Sequence, residues 1–203
     1  MADRAELAQS LEYCQQALTI HKEMGNIRGE SAVLNNIGAT YFLLHDYEGA
    51  QRYYHQALDL YRLCENDQAI AETLGNLSLL NCIQGHLDEG SQKAKEAIRL
   101  ARDAGDKVNE ANSHYFLARV ELAAGNLDEA AIELQVALTL RQVVPHPARL
   151  LEIQVEMANV AHQKGETADA KTVLDQVGDY SEHIHSTNEP QRIRAIIKQI
   201  QEA

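Results

Sequence analysis

The chain has 203 residues and a formal net charge of -12, with 30 acidic against 18 basic residues. A nucleic-acid-binding surface needs clustered Lys and Arg to neutralise phosphates, and the sequence has no such cluster, so we expect no nucleic-acid partner. With only three Pro, no Trp and no run of alternating β-branched residues, the composition favours helix along almost the whole chain.

Three cysteines, Cys14, Cys64 and Cys82, are odd in number and widely spaced, which fits neither a disulfide framework nor a zinc knuckle. They indicate a reducing, cytoplasmic compartment. The first residues lack a basic stretch followed by an apolar core, and no segment approaches the roughly eighteen apolar residues of a membrane span. We therefore expect neither secretion nor insertion in a membrane.

Apolar residues at helical spacing, interrupted by Gly, Asn and Pro, predict about ten helices. In the last of them, Ile193, Ile196, Ile197 and Ile200 form one apolar stripe, and Thr187 or Asn188 is the expected N-cap, with Pro190 in the first turn. The predicted helices cover residues 4–22, 30–44, 47–63, 69–83, 87–104, 107–124, 127–143, 148–163, 167–177 and 186–203.

Residues 34–58 set a pattern of small and large side chains that recurs three more times at an offset of forty residues. Helix-breaking residues at 25, 65, 105 and 145 keep the same period. Such a repeat predicts one all-α solenoid over residues 1–203, in which each helix pair contacts mainly its neighbours. The predicted units are a half repeat at 4–25, full repeats at 30–64, 69–104, 107–144 and 148–178, and a terminal helix at 186–203.

Small residues occupy one slot of the earlier helix of each pair, where the two antiparallel helices must approach closely. These residues are Gly38, Ser78, Ala118 and Ala158. A slot on the later helix holds the large Tyr54, Leu134 and Leu174 but also Ala94. The missing volume at Ala94 predicts a local shift or a neighbour that compensates.

These slots, and the turns DYEGA at 46–50, HLDEG at 86–90 and NLDEA at 126–130, resemble those of tetratricopeptide (TPR) repeats. The chain is similar to the longer TPR repeats of kinesin light chain, of Pins-type scaffolds and of bacterial signalling regulators. The resemblance implies a right-handed α-solenoid of antiparallel helix pairs. It also implies a groove on the concave surface, lined by the first helix of each unit.

The resemblance places nine side chains in that groove, and we predict that they bind a partner. They are Asn35, Asn36, Phe42, Asn76, Asn112, Tyr115, Phe116, Arg119 and Asn159. An Asn amide can pair with a peptide backbone through its donor and its acceptor, and the longer-repeat relatives use Asn at the slot of Asn36 and Asn76. Two simpler interpretations stay open, namely that the amides are only solvated and that the aromatic residues pack within the repeats.

The resemblance predicts a non-catalytic protein–protein interaction module that binds a peptide segment or a partner domain. The alternative is a sensor fragment of a larger bacterial ATPase or transcription regulator that binds a peptide or a small effector. Chaperone-binding members hold a peptide carboxylate with Lys and Arg where this chain has Ala32, Glu72 and Glu152, so a chaperone-tail receptor is disfavoured.

No catalytic pattern, phosphate-binding GxxxxGK or GxSxG occurs in the sequence, and we expect no enzyme activity and no cofactor. His183 and His185, with Asp179 and Glu182 nearby, are better interpreted as solvated loop residues than as metal ligands. The half units at the two ends also predict end-to-end association of copies through the isoleucine stripe.

Overall fold

The computed structural model describes residues 4–177, 184, 187 and 189–203, and their regular structure is helical throughout, with no strand. Each predicted helix limit lies within about one turn of the observed one. The helices are α1 (Arg4–Glu23), α2 (Ile27–Leu43), α3 (Tyr47–Leu63), α4 (Asp67–Ile83), α5 (Leu87–Asp103), α6 (Lys107–Ala124), α7 (Leu127–Val143), α8 (Pro147–Gln163), α9 (Thr167–Val177) and α10 (Pro190–Glu202).

A single residue ends one helix and caps the next at several of the short connections. The backbone N–H of Asn26 donates to the carbonyl of His21 in α1, at 2.9 Å, which closes the helix end. The Asn26 side chain then accepts from the backbone N–H of Gly29 in α2, at 3.0 Å. Equivalent pairs of bonds are made by Asp46, Asn66 and Asp106. Antiparallel packing of consecutive helices follows from connections this short.

The residue before each of these caps is left-handed, and left-handed residues recur at twenty-residue intervals at the other short connections as well. They are Gly25, His45, Glu65, Gly85, Gly105, Gly125 and Gly165. Position 145 breaks the series because Pro145 cannot adopt a positive φ, and α7 ends instead at Val144 with φ -126°. The connection from α7 to α8 therefore lacks the left-handed turn, although the His146 side chain still caps α8 by accepting from the backbone N–H of Arg149 at 3.3 Å.

Helix pairs approach closely where the sequence has its small residues. A Cβ atom added to Gly38 in α2 would lie 2.7 Å from the Tyr54 ring of α3, so this contact requires glycine. Ala94 in α5 is fully buried and packs with Ile98 and Leu117. The predicted compensation for the small side chain is thus supplied by branched neighbours.

The C-terminal helix differs from its prediction in two respects. It begins at Pro190 with Glu189 as N-cap residue, so Thr187 is not the cap, since its hydroxyl donates to the Ile184 carbonyl at 2.8 Å. Asn188, the other predicted cap, lies outside the described residues.

The isoleucine stripe of α10 is buried within the chain. Its four side chains pack on α8 and α9 around Leu151, Val155 and Leu174. The exposed stripe that the end-to-end prediction requires is therefore not present on α10. Self-association itself stays a prediction.

Replacing Glu65 by Gly should raise the free energy of unfolding by about 0.5–1 kcal/mol, because a left-handed φ of 51° strains any residue with a Cβ. Gly105→Ala is the matched reverse change, and it should lower the free energy of unfolding by about 1 kcal/mol. A Cβ atom at Gly105 would meet nothing within 4 Å, so this variant reports the backbone alone. Urea denaturation followed by circular dichroism measures both, and unchanged midpoints would contradict the turn assignment.

Candidate functional site

The earlier helices of the pairs, α2, α4, α6 and α8, line one face of the solenoid, and three cavities open along it. We call this surface the inner face. It divides into an open half, formed by α2, α4 and the first part of α6, and a closed half, where the start of α10 lies against α6 and α8.

The open half contains an apolar cavity of about 230 Å³ between α2 and α4. Its walls are aromatic and aliphatic, with one carboxylate and one amide. The lining residues are Ala39, Phe42, Leu43, Tyr54, Glu72, Asn76 and Leu79. Phe42 is half-buried and its ring lies 5.8 Å from the ring of Tyr47, so packing within the repeat fixes its orientation.

A larger and more polar cavity of about 490 Å³ follows between α4 and α6. Asn76 and Asn112 lie on opposite walls, and Arg149 of α8 closes one end. Glu72 and Asn76 line both cavities, so the two form one continuous groove. The groove offers apolar contacts at one end and amide and charged groups at the other.

Two of the predicted amides have no hydrogen-bond partner among the described residues. The side chain of Asn36 is exposed and that of Asn76 is half-buried, and neither makes a hydrogen bond to any part of the chain that the structure describes. Asn112 is half-buried, and its amide oxygen accepts from Arg141 at 2.5 Å, which leaves its amide nitrogen as donor.

Asn35 lies on the buried side of α2, where its side chain links α2 to α4. Its amide oxygen accepts from the Thr73 hydroxyl at 3.3 Å, and its side chain also bonds to Glu72. Desolvation raises the pKa of Glu72, with a further contribution from Asp106, although the Asn35 bond acts in the opposite direction. Asn35 therefore ties α2 to α4 and orients the one carboxylate shared by both cavities.

Tyr115 and Phe116 are buried in α6 and covered by Arg149. The guanidinium carbon of Arg149 lies 4.9 Å from the Tyr115 ring centre and 5.3 Å from that of Phe116. Arg149 also forms an ion pair with Glu152. Only the Phe116 ring reaches the polar cavity, as part of its wall.

The closed half is a network of four charged side chains on α6, α8 and α10. Arg119 pairs with Glu189 through both of its terminal nitrogens, the longer contact being 3.4 Å from Nη2 to Oε1. Glu156 pairs with Arg192 and accepts from the Asn159 amide at 3.1 Å. Arg119 and Asn159, both predicted groove residues, thus have partners within the chain.

The sequence pattern did not identify Arg149, Glu189 or Arg192 as residues of this face. Arg119 and Glu189 are seventy positions apart, outside the forty-residue register that located the other side chains. The buried stripe of α10 indicates that this helix packs on the chain, but no periodicity shows where its first turn lies.

No group of three or more His, Cys, Asp or Glu that could hold a metal ion is found among the residues that the structure describes. His183, His185, Asp179 and Glu182 lie outside them. The three cysteines are free and partly exposed. No helix in residues 4–177 or 189–203 is long and apolar enough to cross a membrane.

Residues 2–201 match the family described as the MalT-like TPR region. The chain belongs to this family. No curated protein matches it in sequence.

Three solved structures have a similar fold at low sequence identity. BtubC (BKLC) from P. vanneervenii is 15% identical with a TM-score of 0.65, and the match covers 97% of this chain and 84% of that one. A putative kinesin light chain from Podosopora anserina, with nearly identical TPR-like repeats, is 15% identical with a TM-score of 0.66, over 98% and 91% of the two chains. The apo form of RapI is 12% identical with a TM-score of 0.70, over 86% of this chain and 48% of RapI.

The buried carboxylate of Glu156 makes stability depend on pH. Burial raises its pKa, but the guanidinium groups of Arg192 and Arg119 outweigh burial and hold the pKa below the usual 4.5. A carboxylate with a lowered pKa stabilises the fold above its unfolded-state pKa, and that contribution is lost as the pH falls through the folded-state value.

Glu156→Gln should therefore lower the free energy of unfolding at pH 7 by about 3 kcal/mol, because Arg192 loses its carboxylate partner and Arg119 keeps only Glu189. The difference from the unsubstituted chain should shrink as the pH falls below about 4.5. Urea denaturation between pH 7 and pH 3 measures this, with Glu96→Gln on the exposed side of α5 as control. A difference that stays constant with pH would contradict the assignment.

Proposed function

We propose that the chain is a non-catalytic interaction module that binds an extended peptide segment of a partner protein along the open half of the inner face. The observation that carries this proposal is the pair Asn36 and Asn76, forty residues apart on the same face, whose amides have no hydrogen-bond partner in the described part of the chain.

Spacing supports an extended ligand. Asn36, Asn76 and Asn112 lie on three successive inner helices. An extended chain that crosses these helices exposes its backbone N–H and C=O groups, so it could pair with more than one of the amides. The Phe42 end of the groove would hold one apolar side chain of the peptide.

The charged side chains of the two cavities indicate which kind of peptide would bind best. Glu72 lies in both cavities of the open half, Asp106 lines the polar one, and Arg149 is the single cation of their walls. Arg149 already pairs with Glu152. A peptide that carries a Lys or Arg side chain near its middle would therefore complement the groove better than an acidic one.

The amide pair can be tested with a peptide selected on the unsubstituted chain from a random phage-displayed library. Its dissociation constant, measured by fluorescence anisotropy, should rise about 10- to 100-fold in the double variant Asn36→Ala, Asn76→Ala, since two hydrogen bonds of about 1 kcal/mol each are lost. The melting temperature should not change, because neither amide bonds to any of the residues that the structure describes.

Gln56→Ala with Gln92→Ala is the matched control. Both glutamines are exposed, lie on α3 and α5 and do not line the cavities of the inner face. Unchanged affinity in the Asn36, Asn76 variant, or an equal loss in the control, would remove the open half as the binding site.

The family match supports a second candidate, a sensor fragment of a larger bacterial ATPase or transcription regulator. The matched family is a MalT-like TPR region, and the chain spans only 48% of RapI. In this candidate the polar cavity of about 490 Å³ would hold a peptide or a small effector. An ATPase or DNA-binding sequence in the same reading frame would favour it, and a frame without either would count against it.

A further inference from the structure

The hydrogen bonding of Arg119 is incomplete. Its side chain is 5% exposed, and its two terminal nitrogens donate to Glu189. Its Nε has no hydrogen-bond partner in the described part of the chain, because Glu156 Oε1 is 3.9 Å away. An unpaired donor on a buried cation is unfavourable, so a different arrangement of carboxylate oxygens around Arg119 would bind better.

Glu189 is held much less firmly than the other carboxylate of the network. Its side chain is 21% exposed against 1% for Glu156. Although it is the N-cap residue of α10, its side chain makes no capping bond. The isoleucine stripe holds α10 on α8 and α9 independently of it, so the Glu189 side chain can leave Arg119 while the helix stays in place.

Space for an incoming group is present beside this pair. A cavity of about 450 Å³ is lined by Arg119, Glu189 and Arg192 together with aliphatic and amide side chains. The remaining lining residues are Cys82, Ile83, Leu122, Ala123, Asn159 and Gln163. The volume is large enough for an acidic side chain and the adjoining peptide backbone.

This cavity is close to the open half of the inner face. Ile83 lines it, and Ile83 packs in one apolar cluster with Leu79 and Phe42, which line the apolar cavity of the open half. A peptide in the open half could therefore extend to Arg119.

We propose that Arg119 is a carboxylate receptor and that Glu189 occupies it as a stand-in for an acidic residue of a bound peptide. Binding exchanges one carboxylate for another, so the charge balance at Arg119 is unchanged and no buried cation is left unpaired. Glu189 competes from within the chain, which weakens every acidic ligand until it is displaced. An acidic peptide must therefore displace Glu189 from Arg119 before it can bind there.

The probes are two fluorescein-labelled pentapeptide amides, TNEPQ, which is the chain's own sequence at 187–191, and the matched TNQPQ. Fluorescence anisotropy should show TNEPQ binding to the Glu189→Gln chain at least about tenfold more tightly than to the unsubstituted chain. The affinity for TNQPQ should not increase when Glu189 is replaced by Gln. Adding Arg119→Gln to Glu189→Gln should abolish the increase in affinity for TNEPQ.

Equal binding of TNEPQ and TNQPQ to the Glu189→Gln chain would overturn the proposal. If circular dichroism shows that this variant does not fold, Glu189→Asp retains the charge but shortens the reach, and the same preference for TNEPQ must appear there. The readout depends on Arg119 and a defined peptide, whereas the open-half test depends on Asn36 and Asn76, so the two proposals can fail separately.

Discussion

The fold depends on one local constraint, a tight turn at almost every twentieth position, in which a left-handed residue is followed by one whose backbone N–H closes the preceding helix. Each such turn reverses the chain within three residues, so helices alternate strictly between an inner and an outer layer. Because the period never slips between 25 and 125, side chains forty positions apart face the same way. Asn36 and Asn76 share the inner face for this reason, without any contact between them.

That constraint also explains why most of the architecture can be predicted from sequence. The glycines, asparagines and small residues act locally, so their spacing locates helices such as α3, α6, α7 and α9. The first turn of α10 is different, since it is positioned by Arg119 and Glu156, which are distant in the chain. Local signals at Thr187 therefore gave the wrong helix start.

The candidate site, too, could be predicted from the sequence only where the repeat pattern locates its residues. The forty-residue periodicity assigns a side chain to the inner face, but it does not show which other side chains cover that face. Asn36 and Asn76 have amides without a partner in the part of the chain that the structure describes. Tyr115, Phe116 and Arg119 are instead covered by Arg149 or Glu189. Those covering residues lie outside the predicted groove slots, so their effect becomes visible only in three dimensions.

The inner face thus combines two kinds of surface. The open half has two amides without a partner among the described residues, and a carboxylate beside an apolar cavity, which favours a ligand that supplies backbone hydrogen bonds. In the closed half, Arg119 and Arg192 already pair with carboxylates of the same chain, so an acidic ligand there would have to displace one of them. A partner peptide that engages both halves would need an acidic residue beyond the apolar residue that the Phe42 cavity holds.

The most direct test is an NMR titration that follows the side-chain amide resonances of the asparagines while a library-selected peptide is added. The account predicts that the signals of Asn36, Asn76 and Asn112 shift together and saturate at one peptide per chain. Shifts confined to residues of α3, α5 and α7, with those three amides unchanged, would contradict a binding site on the inner face.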